Sequence, residues 1–100
     1  MYSINTAAEK LNITPAYFNR IFKKYMRISY SEFLNEYRIK KACEMLQETN
    51  KSINVISAET GISNTTYFYT LFKKYYGITP QQYRNNFKKT ANDITEKPTL

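Results

Sequence analysis

Histidine and tryptophan are absent from this sequence of 100 residues, and cysteine occurs once, at Cys43. Without histidine there is no Ser-His-Asp or Cys-His nucleophile and no imidazole ligand for a metal. A lone cysteine excludes an internal disulfide and a thiolate zinc site, and it fits a reducing, intracellular compartment. No acid–base pair, nucleophile or metal cluster stands out, so no catalytic residue, metal ligand or cofactor is expected. Apolar runs are only a few residues long, which excludes a membrane span, and no signal-peptide pattern occurs. Two glycines and three prolines are less turn punctuation than a sheet-rich chain of this size needs.

What is present points elsewhere. Apolar residues make up 42% of the chain, enough for a core. Fifteen Lys and Arg against eight Asp and Glu leave a net charge of +7, which suits a polyanionic partner: DNA, RNA or an anionic surface. A merely solvated basic surface is the plainer reading of charge alone.

The strongest signal is internal repetition. Tyr17–Tyr25 laid over Tyr67–Tyr75, an offset of 50, matches at six of nine positions: Tyr, Phe, Phe, Lys, Lys and Tyr. The register continues through Ile28 over Ile78, Ser29 over Thr79 and Phe33 over Tyr83. Upstream it falls to 49, with Ala8 over Ser57, Asn12 over Gly61, Ile13 over Ile62 and Thr14 over Ser63. The extra residue lies between Ser63 and Tyr67, and single-residue insertions belong in turns.

Each copy reads as helix, turn, helix. Ser52 caps a helix through Ile53, Ile56, Ser57 and Thr60, and Gly61 supplies the positive φ that ends it. Asn64 caps the next, with Phe68, Leu71, Phe72 and Tyr75 along one face at i, i+3, i+4, i+7. In the first copy a helix through Ile4, Ala7, Ala8 and Leu11 stops near Asn12. Thr14 and Pro15 then start a second one carrying Phe18, Ile21, Phe22 and Tyr25 on its apolar face. Arg27 stands where the second copy has Gly77; Arg disfavours positive φ, so the first copy is expected to close differently there. A helix over roughly 31–48, with Ile39, Ala42, Cys43 and Leu46 as its stripe, lies between the copies, about 27 Å long at 1.5 Å per residue. The expected organisation is all-α: a first helix-turn-helix subdomain over 1–30, a linker helix over 31–48, a second subdomain over 49–89 with a last short helix at Gln81–Phe87, and a frayed tail over 90–100. Cys43 reads as a small core residue.

Several stretches carry a family resemblance: Ile56-Ser57, Gly61-Ile62, Tyr67-Phe68, Phe72-Lys73-Lys74 and Gly77-Ile78-Thr79-Pro80-Gln81-Gln82-Tyr83-Arg84. Phe33-Leu34, Arg38-Ile39-Lys40-Lys41-Ala42, Met45-Leu46, Thr14-Pro15-Ala16-Tyr17-Phe18 and Phe22-Lys23-Lys24 extend it. Over roughly residues 3–89 the chain resembles the DNA-binding domain of AraC/XylS-family bacterial transcription regulators. The resemblance implies two helix-turn-helix subdomains joined by the central helix, whose recognition helices, about 15–25 and 65–75, enter successive major-groove segments of promoter DNA. Two like units about one helical repeat (roughly 34 Å) apart suit one asymmetric site.

With the apolar stripe turned to the core, Ala16, Asn19, Arg20 and Lys23 fall on the opposite face of the first recognition helix. Arg pairs bidentately with guanine and Asn with adenine, and a small Ala permits close approach. By family position, Ala16, Asn19 and Arg20 match base-facing places, as do Thr65, Thr66 and Thr70 on the second helix, with Tyr69 beside them. Many relatives carry a long polar or Arg side chain where Thr70 stands, so the first helix is expected to carry more specificity. Lys23, Lys24, Lys73 and Lys74 recur in both copies and are expected at phosphates; favourable charge near a helix C-terminus is the alternative. Arg27, Arg84, Lys88 and Lys89 are weaker candidates, and Arg38, near Glu32 and Glu36, is expected in a structural or interface bond. Tyr17-Phe18 and Tyr67-Phe68 recur as pairs, with both Phe residues expected in the core. In this family such a domain commonly follows a ligand-sensing or receiver domain, as in two-component response regulators. Because Met1 falls almost inside the first helix, an excised domain is expected, with a stand-alone regulator as the alternative. The intact protein is expected in the cytoplasm, on the nucleoid and with RNA polymerase as a partner. The competing class is a basic helical module binding RNA, single strands or anionic lipid without sequence specificity.

Overall fold

A computed structural model of the protein describes the backbone of residues 3–96 and the side chains of 3–88. The described residues are all-helical: α1 (Ile4–Lys10), α2 (Pro15–Met26), α3 (Tyr30–Glu48), α4 (Ile53–Glu59), α5 (Thr65–Tyr76) and α6 (Pro80–Glu96). The caps explain where these helices begin. Ser3, Thr14, Ser52 and Asn64 each accept a hydrogen bond from the backbone N–H three residues on, and Pro15 occupies the first position of α2. Ser29 and Thr79 do the same for Glu32 and Gln82 at the starts of α3 and α6, with N···O distances of 3.1 Å in both.

The chain divides into two compact units whose boundary falls inside α3, between Tyr37 and Arg38. The second unit has a continuous core of Ile39, Ala42, Cys43, Leu46, Ile53, Ile56, Ile62, Phe68, Leu71 and Phe72. Burial pushes the Cys43 thiol up from its ordinary value, outweighing opposing hydrogen bonds from Tyr76 and Tyr83. The first unit buries Ala8, Tyr30 and Leu34, and it packs Phe22 edge-to-face against Tyr30 and Phe33 with ring centroids 5.1 and 5.4 Å apart. On α2 the apolar stripe is less covered than on α5: Phe18, Ile21 and Phe22 are half-buried, and Tyr25, expected on the same face, is exposed. α6 continues to Glu96, past the end expected at Phe87. No Gly or Pro interrupts residues 81–97, so no breaker stops the backbone where the apolar pattern fades. Residues 97–100 of the expected tail lie outside the described residues.

Arg27 departs from expectation. It takes φ 70° and ψ −1° and closes α2 as Gly77, with φ 76° and ψ −5°, closes α5. The N–H of Arg27 reaches the Lys23 carbonyl at 2.9 Å, matching the Gly77 to Lys73 bond at 2.7 Å. The turn into α3 thus fixes the left-handed conformation despite its steric penalty, about 1–2 kcal/mol for a residue with a Cβ. Arg27→Gly is therefore expected to stabilise the protein by about 0.5–1 kcal/mol, after the greater freedom glycine gives the unfolded chain. Urea denaturation checks this, and a loss of stability would mean that the Arg27 side chain has an anchoring role.

Candidate nucleic-acid interface

The turn before α2 rests on Asn12 at φ 59°, and the turn before α5 on Gly61 at φ 92°. A Cβ at Gly61 would lie 3.2 Å from Arg38 Nε, so the missing side chain lets the Arg38 guanidinium lie against this turn. The second turn is further pinned by Ser57, fully buried, whose hydroxyl donates to the Ile62 carbonyl. Ala8 fills the same place in the first unit, where the turn is crossed by backbone bonds, from the Asn12 N–H to the Glu9 carbonyl and from the Ile13 N–H to the Ala8 carbonyl, at 3.0 Å each. The sequence singles out Ser57 through the repeat and the Ile56-Ser57 pair, and its role as a turn lock comes from this hydrogen bond.

These turns hold α2 and α5 with their apolar faces inward and the opposite faces open. Ala16 and Arg20 are exposed on α2, and the Arg20 guanidinium lies over the Tyr17 ring, 5.3 Å from its centroid. That cation–π contact keeps the guanidinium beside the open face. Asn19 sits differently: it is half-buried, and its Oδ1 accepts the Tyr30 N–H at 3.3 Å. On α5, Thr66, Tyr69 and Thr70 are exposed and Thr65 is half-buried. The Thr70 hydroxyl donates to the Thr66 carbonyl at 3.1 Å, which leaves its lone pairs rather than its proton for another partner.

Lys23, Lys24, Lys73 and Lys74 are all exposed in the last turns of α2 and α5. Lys24 and Lys74 sit alike, each ammonium 5.8 Å from the ring centroid of the following tyrosine. Tyr17 and Tyr67 are also both exposed, whereas Phe68 is buried and Phe18 half-buried. Arg84 leaves the set of phosphate candidates. It is buried in the second unit, where its Nε and one terminal N–H donate to the carbonyls of Leu46 and Thr49 at 3.2 Å each, capping the end of α3. Arg38 lies against the Gly61 turn, and Lys41–Glu44 and Lys51–Glu59 are ion pairs of the second unit.

Two helix-turn-helix units, each with an open polar face on its second helix and lysines at that helix's end, define a nucleic-acid-binding class of domain. Comparison with known proteins gives the family. A profile described as "Helix-turn-helix domain" matches residues 7–86, and the chain belongs to this AraC-type helix-turn-helix family of DNA-binding domains of bacterial transcription regulators. The chain is 33% identical over 89 residues to the regulatory protein PocR of Salmonella typhimurium, covering 89% of this chain and 29% of that protein. It is 34% identical over 82 residues to the melibiose operon regulatory protein of Escherichia coli, covering 82% of this chain and 27% of that protein. Among solved structures, the C-terminal domain of the two-component response regulator yesN from Fusobacterium nucleatum superposes with a TM-score of 0.78 at 36% identity, covering 84% of this chain and 82% of that one. The chain therefore spans less than a third of the length of the PocR and melibiose regulators.

Proposed function

We propose that the protein reads double-stranded promoter DNA in a sequence-specific way, with α2 and α5 entering successive major-groove segments. The duplicated open face carries this reading: two copies of one docking surface, each with lysines at the same place. Ala16 and Arg20 read bases from the first unit, and Thr65, Thr66, Tyr69 and Thr70 from the second. Asn19 lies beside them, with its acceptor oxygen engaged. Lys23, Lys24, Lys73 and Lys74 contact phosphates, which fixes register and contributes salt-dependent affinity. In the intact regulator, a sensor or receiver domain supplies the input and RNA polymerase receives the output, on the nucleoid in the cytoplasm. No catalytic role is assigned.

Arg20 is the side chain with most discrimination to offer, since its five donors match guanine O6 and N7 bidentately. Arg20→Ala is expected to weaken binding to a preferred duplex by about 1–3 kcal/mol and to relax one base position, and Thr70→Ala to do less. Fluorescence-anisotropy titrations against that duplex and single-base variants measure both. Competition by single strands, RNA and anionic vesicles at the same salt tests the class. Displacement by all of them as readily as by the duplex would favour a nonspecific polyanion binder instead.

A further inference from the structure

Asn19 and its counterpart Tyr69 differ in a way that the rest of the repeat explains. Tyr30 is the first residue of α3 and Pro80 the first residue of α6, and they stand at the same offset of 50 as Asn19 and Tyr69. The first N–H of a helix has no intrahelical acceptor, and proline at that place removes the problem by having no N–H. Tyr30 does have one, on a residue that is itself buried, with 6% of its surface exposed. Its N–H is met by Asn19 Oδ1 at 3.3 Å, from the middle of the recognition helix. Where the second unit has Pro80, no such acceptor is needed, and position 69 carries an exposed tyrosine. The pair Asn19–Tyr30 in the first copy thus stands where the second has Tyr69–Pro80.

We infer that Asn19 is a positioning residue, tying α2 to the first turn of α3 and so setting the angle at which Arg20 is presented, and that it does not read a base itself. The inference rests on the DNA-reading function proposed above for α2. Bidentate pairing with adenine needs the amide oxygen as acceptor and the NH2 as donor. The oxygen already accepts the Tyr30 N–H, so pairing with adenine would have to use its second lone pair from a half-buried side chain that is turned toward the start of α3. The Arg20 side chain, one residue on, is exposed and stacked on Tyr17.

The test compares Asn19→Ala and Asn19→Asp with the unchanged protein, by thermal melting and by selection from a randomised duplex library. Aspartate keeps the acceptor and lacks the NH2 donor. It is expected to melt within a degree or two of the parent and to enrich the same bases at every position of both half-motifs, at lower overall affinity. Alanine is expected to melt about 5 °C lower, as for loss of a helix-capping side chain. Its first half-motif should flatten across all positions together, while the second half-motif, read by a unit with its own core, serves as the internal control. Relaxation of one base position alone in Asn19→Ala, or a changed preference at one position in Asn19→Asp, would make Asn19 a direct reader and overturn the inference. So would an alanine variant that keeps both melting temperature and motif. If the unchanged protein enriches no motif, the DNA reading itself fails. The melting order of the three proteins then still decides whether the Asn19–Tyr30 bond holds the unit together.

Discussion

Phe72→Ala is expected to lower the stability of the protein by about 3–5 kcal/mol, and Phe22→Ala by only about half as much. The two phenylalanines occupy the same place in the repeat and touch equivalent rings, Phe72 against Tyr83 at 5.6 Å and Phe22 against Phe33 at 5.4 Å. They differ in cover. Phe72 is fully buried in the core it shares with Ile39, Ala42, Cys43 and Leu46, so truncation leaves a closed cavity and also forfeits the transfer energy of the ring. Phe22 is half-buried, so part of its surface is already hydrated and the gap left behind is open to water. Urea titrations of both variants measure the difference. Equal losses would mean that the first unit is as well packed as the second, against the observed burial.

The second large effect concerns binding. Replacing Lys23, Lys24, Lys73 and Lys74 together by alanine is expected to reduce the slope of log K against log salt by about 3 to 4, at roughly 0.9 for each phosphate no longer neutralised. Affinity at low salt should fall by several orders of magnitude, while the rank order of preferred sequences stays as it was, because phosphates carry no base information. The four side chains are exposed at helix ends, where truncation removes only tenths of a kcal/mol of favourable dipole interaction. Titrations over a tenfold range of salt separate the two roles. An unchanged slope would assign the lysines to the helix dipole alone.

Much of this architecture was legible because the chain states it twice. The repeat, the caps at Thr14, Ser52 and Asn64, and the stripe of Phe68, Leu71 and Phe72 follow from spacing and capping chemistry that act within a few residues. What escaped were interactions made across the fold. Arg84 reads as a surface cation in sequence, and only tertiary packing brings it to the carbonyls of Leu46 and Thr49. Asn19 reads as a base-facing residue on a helical wheel, yet the wheel does not show that the first turn of α3 comes within hydrogen-bond reach. Arg27 reads as a poor left-handed residue, and so it is by local sterics. The turn between α2 and α3 overrides that preference, as it can when the surrounding elements fix the backbone. The candidate reading face itself, Ala16 and Arg20 on α2 and Thr66, Tyr69 and Thr70 on α5, lies open as its helical positions predict.

The most direct test of the central claim is binding to a randomised duplex library at two salt concentrations, with selection and sequencing of the bound fraction. Reading by both units predicts two short enriched motifs about one helical turn apart, the one read by α2 carrying more information, and both persisting as salt rises. Steeply salt-dependent retention of duplexes with no enriched motif would contradict it and leave a basic surface that binds the backbone alone.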